Sequence, residues 1–232
     1  MRNILISIKP QYVCKILNKE KILEIRKSMP KCELPCKVYI YCTKDNSYKL
    51  LQDNETGQYF KGITSGNDAN HPSDTEYGMN CEYETQCCTR LNGKVVAEFT
   101  LNKIDKIEIC DPYIFRNNEQ EDWKYFEKNA CLTCEQMMEY IGYGEDHDGW
   151  DKKYDIGYAW RIDNLIIYDK PKELKSFSKF GYEPLGYSSI CGNRDCPFFA
   201  DSNCYDLPPD CLLDKDCILT RPPQSYMFVE GE

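Results

Sequence analysis

Apolar positions fall into short runs whose periods change along the chain. "NILISIK" (3–9) is brief and rich in β-branched residues, which predicts a buried first strand. Pro10 suits the first turn of a helix, and Val13, Ile16 and Leu17 then recur at helical spacing through "PQYVCKILNKEK". "ILEIRK" alternates instead: Leu23 and Ile25 point one way, Glu24 and Arg26 the other. "CKVYIYCTK" is nearly continuous in apolar residues and reads as a strand covered on both faces. "GKVVAEFTLNKIDKIEI" predicts one long strand with a bend near Asn102. "ACLTCEQMMEYIG" carries a full set of helix signals, with Thr133 as N-cap, Gln136 closing a capping box and Gly142 as the stop. "GYAWRIDNLIIYDKPKEL" predicts a further strand ended by Lys-Pro, and "SYMFVE" the last one.

Residues 45–92 break this pattern. The stretch is rich in Asn, Asp, Gly, Ser and Thr and reads as an irregular insertion. Strands and helices alternate without the βαβα rhythm of a parallel sheet, so the expected class is α+β around a curled sheet. The expected organisation is one domain over 1–232, with the insertion at 45–92 and a cysteine-rich late segment at 191–217.

Composition narrows this picture. Hydrophobic residues make up 41% and aromatics 13% of the 232 residues, enough for a packed core. No run of apolar residues is long enough to span a bilayer. The apolar run near the N-terminus is too short for a signal peptide, so the expected location is the cytoplasm. In that frame the fifteen cysteines are core residues, metal ligands or reactive thiols. The net charge is −9, yet residues 1–50 hold eleven Lys/Arg against four Asp/Glu. That part is +7 and the remainder −16, an asymmetry that marks either a solvated basic face or an interaction surface.

The sharpest constellation is Lys21, Glu24 and Arg26. In an extended segment Glu24 and Arg26 share a face, and Lys21 enters from the strand's start. A carboxylate between two cations stays ionised, and arginine offers a planar fork to a phosphate or a base edge. The competing reading is an Arg–Glu pair that steadies the strand. Aromatics on neighbouring strands (Tyr39, Tyr41, Tyr158 and Trp160) serve either as stacking platforms for bases or as core.

"LISIKPQYVCKILNKEKILEIRK" resembles the opening of ASCH-domain proteins of the PUA-like superfamily, whose signature is Gly-x-Lys-x-x-Glu-x-Arg. Here it stands as Lys19-x-Lys21-x-x-Glu24-x-Arg26, with lysine in the glycine position. "KVYIYCTK", "GKVVAEFTLNKIDKI", "GYAWRIDNLIIYDKPKEL" and "RPPQSYMFVE" resemble phage and gut-bacterial members. The resemblance implies a PUA-like β pseudo-barrel with peripheral helices and a cleft over the signature strand. It implies single-stranded RNA or a modified nucleoside as ligand, held by Lys21, Glu24 and Arg26. Tyr41 and Trp160 are the stacking candidates, and Arg221 and Gln224 join from the family tail. Some small bacterial members hydrolyse N4-acylated cytidines with a lysine, a threonine and a glutamate. Lys21 matches that lysine, Glu24 occupies the threonine position, and the glutamate falls near Glu127. The alternatives are therefore a hydrolase acting on acylated cytidine or RNA through Lys21 and Glu24, or a phage or mobile-element module that grips a protein partner.

"CGNRDCPFFADSNCYDLPPDCLLDKDC" spaces five thiols with turn-forming residues. A structural zinc knuckle held by Cys191, Cys196, Cys204 and Cys211, with Cys217 as the alternative fourth ligand, would supply folding energy that so short a segment lacks. Free thiols or disulfides are the other readings. Cys131-Leu132-Thr133-Cys134 has redox spacing at a helix start but lacks the flanking strand of a thioredoxin unit. "GEDHDGWD" lacks EF-hand order, and His71 and His147 sit in polar loops.

Overall fold

The computed structural model describes residues 2–62, 88–110, 113–117, 119–142, 155–179, 219 and 221–230. In chain order the elements are β1 (Asn3–Ile8), α1 (Pro10–Leu17), β2 (Leu23–Arg26), β3 (Cys36–Cys42), β4 (Lys49–Asp53), β5 (Tyr59–Gly62) and β6 (Cys88–Arg90). They continue with β7 (Lys94–Leu101), β8 (Ile104–Cys110), β9 (Tyr113–Arg116), β10 (Glu119–Glu121), α2 (Trp123–Ala130) and α3 (Cys134–Ile141). The last are β11 (Asp155–Arg161), β12 (Asp163–Glu173), β13 (Ser178–Lys179) and β14 (Tyr226–Glu230).

The class is α+β, as the interleaved pattern predicts. A six-stranded sheet runs β12-β7-β3-β1-β14-β13, a five-stranded sheet β10-β9-β8-β11-β2, and a three-stranded sheet β5-β4-β6. Strands β1 and β3 pair in parallel, with Ser7 beside Tyr41, and their crossover contains α1 and β2. β1 and β3 are buried on both faces. Ile4, Ile6, Val38 and Ile40 enter the core beneath α1, while Leu5, Tyr39 and Tyr41 pack with Leu174, Phe177 and Val229 on the other side. A third core, with Leu23, Ile25, Ile107 and Ala159, lies between the five-stranded sheet and α2 and α3.

Three expectations change. The two flanks of the 45–92 stretch form the three-stranded sheet, so only its middle stays outside the described residues. Asn92 fixes this sheet: its Oδ1 accepts from Leu50 N at 2.8 Å and its Nδ2 donates to Tyr48 O at 2.9 Å. The two long strands expected at 93–109 and 157–174 each divide, so that β7 and β12 lie in the large sheet and β8 and β11 in the five-stranded one. A continuous apolar pattern does not reveal a change of sheet. Nor does Lys170-Pro171 end β12. That strand is the edge of its sheet, and its register shifts between Ile167 and Lys172, where a missing N–H is tolerated.

Candidate functional site

The signature segment begins at the end of α1. Asn18 caps the helix, and Lys19 follows at φ +62°. Lys19 N donates to Ile16 O at 2.9 Å and Glu20 N to Lys15 O at 2.8 Å, the bond pattern of a Schellman turn. The turn expected of the family's glycine is thus made by a lysine in the left-handed region. Lys21 N also reaches Lys15 O, at 3.1 Å, and the chain then enters β2.

Lys21, Glu24 and Arg26 come together there. Glu24 Oε2 lies 3.3 Å from Lys21 Nζ, and Glu24 Oε1 lies 2.9 Å from an Arg26 terminal nitrogen. The three are 2%, 7% and 4% exposed, so this is a buried ionic chain rather than the wall of an open basic cleft. Coverage comes from across the sheet, where Trp160 lies opposite Glu24 and Tyr158 opposite Arg26. Lys21 Nζ donates to Leu23 O and to Ala130 O, the last residue of α2, both at 2.7 Å. With Glu24, these acceptors engage all three ammonium protons, and the helix terminus adds partial negative charge. The Tyr12 ring stands 5.6 Å from the ammonium. Burial pulls the Lys21 pKa below its usual value and Glu24 opposes the shift. The like charge of Arg26 is a lesser cause in the same direction as burial.

The Arg26 guanidinium clips two strands together. It donates to Ser7 O at 2.9 Å and to Ser225 O at 3.3 Å. Three buried polar atoms have no hydrogen-bond partner: Arg26 Nε and Trp160 Nε1, on the paired strands β2 and β11, and Ser7 Oγ on β1. Leaving such groups unsatisfied costs about 1–3 kcal/mol each, so the two donors on β2 and β11 are ones that an added acceptor would relieve. Tyr226 packs its ring 5.4 Å from Trp160 and donates its hydroxyl to Met29 O at 3.0 Å. Tyr140, on α3, faces Arg26; burial raises its hydroxyl pKa and the Arg26 cation opposes this. Gly157 lets α3 come so close, because a Cβ there would meet Ile141 Cδ1 at 2.6 Å.

Other candidates divide. Trp160 is fully buried within the group, whereas Tyr41 belongs to the separate core with Tyr39 and Phe177. Arg221 and Gln224 are exposed on the segment that leads into Ser225, so the tail does run beside Arg26. Glu127 is turned elsewhere: its Oε1 accepts from Cys134 N at 2.9 Å, at the start of α3. Cys191, Cys196, Cys204, Cys211 and Cys217 lie outside the described residues. Among the described residues no group of three or more His, Cys, Asp or Glu could hold a metal ion. Sequence reasoning missed Ser7, Tyr12, Tyr140 and Ser225. Only Ser225 carried a signal, as a member of the "RPPQS" tail.

Among the described residues no helix is long and apolar enough to cross a membrane. The sequence matches no family model and no curated protein. Among solved structures the chain is similar to ASCH from Zymomonas mobilis, at 12% identity and a TM-score of 0.45, over 98% of this chain and 87% of that one. It is also similar to a variant of that protein, at 11% identity and a TM-score of 0.43, over 99% of this chain and 91% of the other.

Proposed function

We propose that the chain is an ASCH-type, PUA-like binding module for single-stranded RNA or a modified nucleotide. The group of Lys21, Glu24, Arg26 and Trp160 is buried, and the guest reaches it by displacing Ser225 and Tyr226, which lie against Arg26 and Trp160. The observation that carries this reading is the pair of unpartnered donors at Arg26 Nε and Trp160 Nε1 on adjacent strands, with Ser7 Oγ a third on β1. Base edges present keto oxygens and ring nitrogens as acceptors, and an unstacked base offers them freely. Exposed Arg221, on the segment that leads to Ser225, serves in this reading as a phosphate contact. The acidic balance elsewhere, −16 outside the first fifty residues, discourages indiscriminate binding to phosphates.

Trp160→Phe and Ser7→Ala test it, because each deletes one donor, Ser7→Ala with little other change and Trp160→Phe with part of a buried ring. Each variant weakens binding of RNA oligonucleotides by about five- to tenfold, the worth of one hydrogen bond. The free Ser7→Ala protein is as stable as before or slightly more so, since an unsatisfied buried group has gone, whereas Trp160→Phe loses stability to the cavity it leaves. Binding also weakens as salt rises. Unchanged affinity in both variants removes the reading.

One observation favours the hydrolase alternative: burial lowers the pKa of Lys21, as a general base requires. Against it, every Lys21 proton is already held by a protein acceptor. Incubating the same proteins with N4-acylated cytidine and with RNA separates the two. Binding without turnover is expected; turnover abolished by Lys21→Ala would make the protein an enzyme.

A further inference from the structure

The segment that leaves β2 returns to β3 through residues 27–35, and two thiols meet at its end. Cys32 donates from Sγ to Cys36 Sγ at 3.7 Å. Cys36 opens β3 and is 2% exposed, whereas Cys32 lies half-buried on the irregular segment. Other described cysteines turn to different partners: Cys14 to Tyr59 O, Cys42 to Thr43 O, Cys131 to Lys128 O and Cys134 to the Met138 sulfur.

We infer that Cys32 and Cys36 are a redox-active dithiol that closes to an intramolecular disulfide by exchange with a small-molecule disulfide. Closure clasps the return from β2 to the head of β3. A disulfide bond is about 2.05 Å long, so the sulfurs must approach by less than 2 Å. The sequence of attack follows from access. The half-buried Cys32, as thiolate, attacks glutathione disulfide and forms a mixed disulfide, releasing one glutathione thiolate. Cys36 then gives up its proton to solvent and attacks the Cys32 sulfur, which expels the second glutathione. Two electrons pass from the protein dithiol to the glutathione disulfide, which leaves as two thiols. Burial first, and the neighbouring Cys32 second, push the Cys36 thiol up to about 12, which makes it the resolving rather than the attacking group. Capping Cys32 removes its like charge and leaves only burial to overcome.

The inference does not depend on the ligand of the neighbouring site. Its test is oxidation of the full chain in glutathione buffers of graded ratio, followed by alkylation, digestion and mass mapping. The expected product is a Cys32–Cys36 bridge, formed before any of Cys14, Cys42, Cys131 or Cys134 is modified. Cys36→Ser strands Cys32 as its glutathione adduct, at least tenfold above wild type. Cys32→Ser leaves Cys36 unmodified under the same conditions. A Cys32 adduct that persists in wild type, a bridge from Cys32 to any other cysteine, or glutathione on Cys36 in the Cys32→Ser variant overturns the inference. Circular dichroism of each variant guards against a folding defect, and Cys32→Ala and Cys36→Ala serve if a serine variant unfolds.

Discussion

Glu24 is a single anion held between two cations in the interior, and most of the site's stability rests on that arrangement. Its oxygens meet Lys21 at 3.3 Å and Arg26 at 2.9 Å with little water nearby. Glu24→Gln keeps the shape and deletes the charge, leaving two buried cations facing one another. Breaking a buried pair in this way costs about 3–5 kcal/mol, read as a lower urea midpoint at unchanged m-value. The alternation in "ILEIRK" made the convergence of these residues legible. Their near-complete burial was not, because it arises from Trp160 and Ala130, more than a hundred residues away in the chain. The contact of Arg26 with the Ser7 carbonyl was equally silent in sequence, since the two residues lie on strands of different sheets.

At the scale of elements, α1 and its turn set where Lys21 enters the interior. Lys19 adopts φ +62° without the freedom of glycine. Relief of left-handed strain is worth about 1–2 kcal/mol, and glycine's greater unfolded-chain entropy takes back about 0.4–1 kcal/mol. Lys19→Gly therefore raises the unfolding free energy by up to about 1 kcal/mol, whereas Lys19→Val lowers it. Thermal denaturation of the three proteins side by side measures both. Capping chemistry was the most readable feature at this scale. Thr133 and Gln136 form the expected box, and Gly142 ends α3 at φ +108°. The unforeseen helix α2 has its own signals: Asp122 accepts from Lys124 N, and Phe126 and Ala130 are buried one turn apart. Its three exposed or half-exposed lysine and glutamate positions gave little periodicity to read. The change of sheet between β7 and β8 depends on which partner strands are present, and a local pattern carries no record of that.

For the whole molecule, the surplus of carboxylates governs behaviour in acid. Burial would raise the pKa of Glu98, but hydrogen bonds from Tyr168 at 2.6 Å and Lys37 at 3.0 Å hold it below its usual value of 4.5. Asp105 is likewise raised by burial yet held below 3.8 by Lys103 and Asn117. Groups depressed on folding contribute stability that is complete above the unfolded pKa and lost as pH falls through the folded one. Stability is therefore flat near neutrality with respect to these two groups and declines progressively below pH 4.5. Glu98→Gln removes part of that slope, which unfolding free energies measured between neutral and acid pH would reveal. A slope identical in wild type and variant would count against this assignment. The segregation of charge that sets this balance was legible from composition, whereas the particular carboxylates that carry it were not.

Pro171 has a bearing on how these molecules behave towards one another. Strand β12 borders the large sheet along its whole length, and isoleucine 166 stands outward on it. Such a rim would ordinarily offer a template onto which another polypeptide could zip. A residue unable to donate, next to a slipped register, interrupts the template and discourages fibrous growth. The position thus guards the folded protein against edge-to-edge association.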